Sequence, residues 1–198
     1  MDDDTRLAAD PAAVDLTAIR NVLANTVRAG VITGVFAGSM MMVFMVLYSG
    51  GIGAAYWLPP KLIDAMSDGV VALVGGPGVV VAGLAIHLIV SVVWATLFAL
   101  LMDRRWSALT AMAHGILYSF AVWAIMTYLV MPWANPTMNP RIHAMMGMWI
   151  CAHVIFGACL AIAPPLRRAL FGQTVRSRLW RTKVPEVAEG TAPLPAAE

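Results

Sequence analysis

Four uncharged apolar runs constrain this chain more than anything else in it. Residues 29–48, 79–102, 108–131 and 142–163 contain no Asp, Glu, Lys or Arg. A bilayer core of about 30 Å needs roughly 20 apolar residues of helix, and each run meets that length. The runs are continuous rather than alternating, which excludes an outer-membrane barrel. Helices are then the only spanning solution, because unpaired backbone groups cannot face lipid. Composition agrees: 60% of the residues are hydrophobic and 12% are charged, with mean hydropathy +0.77. A soluble domain carries roughly 25% charged residues to wet its surface, so the large soluble enzyme folds are excluded. The expected fold is an all-α bundle of four transmembrane helices.

Charge between the runs predicts their direction, since Lys and Arg concentrate on the cytoplasmic side. Arg6, Arg20 and Arg28 precede the first run, and Arg104 and Arg105 join the second to the third. Arg167, Arg168, Arg176, Arg178, Arg181 and Lys183 follow the fourth. Only Lys61 and Arg141 fall on the opposite side. The pattern predicts both termini in the cytoplasm of a bacterial inner-membrane protein. The acidic start Met1-Asp2-Asp3-Asp4 has no basic region before an apolar core and does not read as a cleaved signal peptide.

Outside the spans, 1–14 reads as a disordered acidic tail. Residues 15–28, with Leu16, Ile19, Leu23 and Val27 at helical spacing, read as an amphipathic interfacial segment or an extension of the first span. In the first outer connection Gly50, Gly51 and Gly53 break the helix, and Tyr56 and Trp57 suit an interfacial belt. Residues 61–74 predict an amphipathic helix on the outer membrane surface, with Leu62, Ile63, Met66, Val70 and Leu73 on its apolar face. Lys61, Asp64 and Asp68 fall on the polar one. Asn139, followed by Pro140, predicts the N-cap of the fourth span. The pairs Asn135-Pro136 and Asn139-Pro140 lie in one loop, unlike the separate half-helix Asn-Pro-Ala turns of aquaporins. After 29–163, the tail 164–198 is basic and amphipathic and then Pro/Ala/Glu-rich. Its arginines suit anionic lipid headgroups; nothing in it asks for nucleic acid.

The spans carry an internal likeness. His87, Ser91 and Ala95 follow one another at i+4 steps in the second, as do His153, Gly157 and Ala161 in the fourth. Gly30, Gly34 and Gly38 repeat that spacing in the first, and Gly115 and Ser119 in the third. The expectation is two duplicated helical hairpins, a parallel repeat. The glycine-striped first span, the Pro-led amphipathic helix, the Gly83-x-x-x-His87-x-x-x-Ser91 span and the His153-x-x-x-Gly157 span together resemble YagU-like bacterial inner-membrane proteins and related four-helix families of unknown function. The resemblance covers roughly residues 28–163. It implies a four-helix inner-membrane protein and no established activity, cofactor or site.

Small residues let helix backbones approach in lipid, which makes Gly30, Gly34, Gly38, Gly83, Ser91, Gly115, Ser119 and Gly157 the expected packing positions. Intramembrane ionisable residues are costly and so are candidates for function. His87 lies roughly 12 Å from the outer end of its span and His153 roughly 16 Å, counting helical rise. They should face one another and could ligate haem b or copper; imidazoles bonded to neighbouring backbone are the plainer expectation. His114 falls toward the cytoplasm and His143 at the outer rim. Met41-x-x-x-Met45 resembles a copper-transporter motif, although those proteins have three spans; flexible packing explains the methionines more simply. Cys151 and Cys159 are too far apart on one helix to bridge. No span holds a carboxylate, which disfavours ion-coupled transport, and no nucleophile–base pair, phosphate loop or zinc set appears.

The sequence thus predicts a non-enzymatic membrane protein acting through helix packing as a subunit, assembly factor or homo-oligomer. A His87/His153 haem or copper protein and a small permeation pathway are the alternatives.

Overall fold

The computed structural model describes residues 16–172 apart from 104. The predicted acidic tail and the stretch from 173 onward, with Arg176, Arg178, Arg181 and Lys183, lie outside the described residues. Every regular element within them is a helix, and four helices are long and apolar enough to cross a membrane.

The first, α1 (Leu16–Gly51), absorbs the expected amphipathic segment into one continuous helix and runs through Gly50 and Gly51 before the chain turns at Gly53, where φ is +77°. Two prolines open α2 (Leu58–Asp68), in the first turn where missing N–H groups cost nothing. It ends at Gly69, whose φ of +60° favours glycine, and a 3-10 segment (Gly69–Val74) follows. The second span, α3 (Pro77–Leu101), again has proline in its first turn. The third span, α4 (Ala108–Ala124), is capped by the Ser107 hydroxyl, which accepts the Thr110 N–H at 3.1 Å. It continues as a π-helical segment (Ile125–Val130) and the short α5 (Met131–Ala134).

The fourth span differs from expectation. A short α6 (Asn139–Ala144) is offset at Met145 from α7 (Met146–Cys159), which continues through a 3-10 turn (Leu160–Ile162) and on to residue 172. Asn139 is already helical, and its side-chain oxygen has no partner. The capping belongs to Asn135, whose Oδ1 accepts the Met138 N–H at 2.9 Å. Asn135 precedes a proline, which holds it extended (φ −144°, ψ 71°) and suits its side chain to closing that turn.

Packing centres on α1, which runs along α3 and also along α7; α7 in turn packs along α4, while the α3–α4 seam is slight. That seam is pinned by Tyr118, whose hydroxyl donates to the Trp94 carbonyl at 2.8 Å and whose ring lies 5.3 Å from that of Phe98. Small residues set the close pairs. A Cβ added at Gly30 or Gly34 would stand 2.5 Å from the Thr96 or Val92 Cα, and one at Gly38 2.7 Å from the Ser91 Cβ. Gly115 and Gly157 meet backbone to backbone, and Ser119 donates to the His153 carbonyl at 2.7 Å. Outward faces carry Val35, Phe36, Ile89, Val93 and Leu117, all exposed, as a lipid-facing surface requires.

Two features of the connections follow from packing. α2 divides both faces of its polarity pattern: Asp64 is buried at 2% exposure although Asp68 is exposed, and Leu62 is buried while Met66 is exposed. Gly83 decides this, because the space its missing side chain leaves on α3 is taken by the Pro60 carbonyl. Backbone contact therefore seats α2 against α3. Arg167 and Arg168 reach main-chain carbonyls elsewhere in the chain. Arg167 donates to the Ala99 and Met102 carbonyls, each at 3.1 Å, closing the C-terminal end of α3, where positive charge is favourable. Arg168 donates to the Trp106 carbonyl at 3.2 Å.

Candidate functional site

Beside the slight α3–α4 seam, the helices line a partly open cavity of about 120 Å³. Its walls come from every span. α1 supplies Met41, α3 supplies His87, Ser91 and Trp94, and α7 supplies Trp149, His153 and Phe156. Trp123, Met126 and Thr127 come from the end of α4 and the π-helical segment. Ile63 and Met66 of α2 close it at one end beside Asn135 and Met138 of the second connection.

The two histidines share this space as their spacing predicts. Each is buried, at 9% exposure, and each commits one ring nitrogen to a main-chain carbonyl. His87 Nε2 lies 3.0 Å from the Gly38 carbonyl across the α1–α3 contact, and His153 Nδ1 lies 2.8 Å from the Trp149 carbonyl on its own helix. A carbonyl only accepts, so both of these nitrogens carry the proton. In the neutral rings the lone pairs then stand on His87 Nδ1 and His153 Nε2. The two imidazoles are opposite tautomers, each oriented by backbone. No carboxylate or thiol lines the cavity, and among the described residues no cluster of three or more His, Cys, Asp or Glu exists.

Other singled-out residues fall elsewhere. His114 is exposed, with Nδ1 on the Thr110 carbonyl at 2.8 Å and its ring 4.3 Å from Trp106. His143 sits near Tyr128, ring centres 6.0 Å apart. Met45 is fully buried but forms no part of the wall, so Met41 and Met45 do not act as a pair there. Cys151 and Cys159 are free.

Asn135 and Thr127 were not marked by the sequence pattern. Asn135, 1% exposed, ties the second connection to α2 by donating from Nδ2 to the Leu62 carbonyl at 2.9 Å. Its position before Pro136 was the only signal. Thr127, 3% exposed, reaches the cavity from the π-helical segment, where the wider turn shifts its register. Such segments are rare and concentrate at functional sites. No family model, curated protein or solved structure matches this chain.

Proposed function

We propose that this chain is a non-enzymatic multi-pass membrane protein that holds a small ligand in the cavity between its helices. One observation carries the reading: His87 and His153, from different spans, line one and the same cavity, each with one nitrogen held by backbone and the other left for a ligand. Pure packing would be served better by apolar residues at both positions, because buried imidazoles are costly in lipid. A volume of about 120 Å³ suits an ion or a very small molecule. Drug-sized ligands need roughly 300–1,000 Å³, which argues against haem. His87 argues the same way, since its free nitrogen is Nδ1, next to its own Cβ and too crowded to meet a porphyrin.

The eleven basic residues on one side against two on the other support a bacterial inner-membrane location with both termini cytoplasmic. The cavity then lies toward the outer face. Reporter fusions after Trp57 and Asn135 should report the periplasm and a fusion after Arg105 the cytoplasm; a cytoplasmic signal from either outer loop would overturn that orientation.

The ligand reading is tested by native mass spectrometry and elemental analysis of the purified full chain beside Val122→Phe, which adds bulk to the cavity wall away from the glycine contacts. The wild type should retain a non-protein mass that the folded variant loses. Identical bare spectra, with no probe taken up by the wild type, would contradict the proposal.

A further inference from the structure

We infer that the cavity is a site for a soft monovalent metal ion, Cu(I) in a cell, ligated by His87 Nδ1, His153 Nε2 and the Met41 thioether. This names the ligand class of the site proposed above and rests on that reading.

Three features of the wall select this ion. The first is the donor set. Besides the two imidazoles and the neutral oxygens of Ser91, Thr127 and Asn135, the wall is rich in thioethers: Met41, Met66, Met126, Met131 and Met138 all line the cavity. Thioethers select Cu(I), and imidazole also suits copper. Met41 stands one turn beyond Gly38, whose carbonyl orients His87, and is buried at 6% exposure. Met138 is less free, with its sulfur already 3.8 Å from the Asn135 amide nitrogen.

The second is charge. Every donor is neutral and no carboxylate or thiol faces the space, so the metal's whole charge stays uncompensated in a low-dielectric interior. The cost of burying an ion rises with the square of its charge, which makes a divalent ion about four times as expensive as a monovalent one. Structural zinc sites rely on thiolate or several imidazoles, and this wall offers neither.

The third is the arrangement behind the donors. A metal-binding histidine nearly always donates its other N–H to a carbonyl or carboxylate, which fixes the tautomer and aims the lone pair. His87 and His153 both do so, at 3.0 and 2.8 Å, to the main chain of α1 and α7. The ligands thus come from three helices, of which α1 and α3 are held close by glycine contacts, and the π-helical segment contributes Met126 and Thr127 to the same wall.

The test uses the full chain purified in detergent without added metal, with Ag(I) as a redox-inert stand-in and Cu(I) in competition with a chromophoric chelator under reducing conditions. The wild type should keep one Ag(I) per chain after desalting and show a raised Tm, with Zn(II) failing to displace it. His87→Gln and His153→Gln should each weaken Cu(I) by at least about 100-fold, the upper end of the loss when even an outer-shell partner is removed. Met41→Leu conserves volume and should fold, so its weaker Ag(I) retention keeps the test decisive where a histidine variant does not fold. Retention of Ag(I) by Met41→Leu and both histidine variants at the wild-type level would overturn the inference. So would a folded wild type that takes no Ag(I). If that wild type still carries another bound mass lost in Val122→Phe, the metal assignment falls and the cavity reading stands; if it carries nothing, both fall.

Discussion

At the scale of single residues, three buried polar groups behave differently because of what surrounds them. His87 and His153 have backbone acceptors; Asp64 on α2 has none for its Oδ2. Burial, and then the neighbouring Asp68, pushes the Asp64 carboxyl above the ordinary aspartate range. A raised value in the folded state means the folded protein binds this proton more tightly than the unfolded chain. The stabilising contribution is therefore complete below the unfolded value of about 3.9 and is lost as pH rises through the folded one. Asp64→Asn should flatten that decline and raise the neutral-pH Tm in detergent. A wild-type Tm that rises over the same mildly acidic interval, or an Asn variant less stable at neutral pH, would show that Asp64 is held as a carboxylate by a favourable partner. The histidine pair was legible in the sequence because so few ionisable groups lie in the spans and because these two occupy matching positions. Asn135 was not, since its role depends on a carbonyl 73 residues away, which no local pattern encodes.

At the scale of elements, hydropathy located the spans and missed how they are modified. The runs beginning near 79 and 108 correspond to α3 and to α4 with its continuation. The π-helical segment has no signature in composition: Ile125 to Val130 reads as ordinary apolar helix, and the wider turn arises from tertiary packing. The burial of Asp64 has a related origin: the Pro60 carbonyl seated at Gly83 holds α2 against α3, a contact that the polarity pattern of α2 does not encode. The small-residue stripes were more informative, because close backbone approach requires them wherever the partner lies. Gly38 shows the link to function: the approach it allows is what brings its carbonyl within 3.0 Å of His87.

Across the described residues, a bundle with tight α1–α3 and α4–α7 pairs and a slight α3–α4 seam leaves a cavity between its helices. Composition made a membrane bundle legible; the cavity was not, because it is a property of the gap between elements and not of any one of them. The central claim is that His87 and His153 turn opposite lone pairs into this space while backbone holds their protons. Nitrogen-15 NMR of the full chain labelled at histidine, assigned with His87→Gln and His153→Gln, tests it most directly. The account predicts two neutral imidazoles at neutral pH, His87 protonated at Nε2 and His153 at Nδ1, with the two unprotonated nitrogens shifting together when Ag(I) is added. Matching tautomers, or a charged ring at either position, would contradict it.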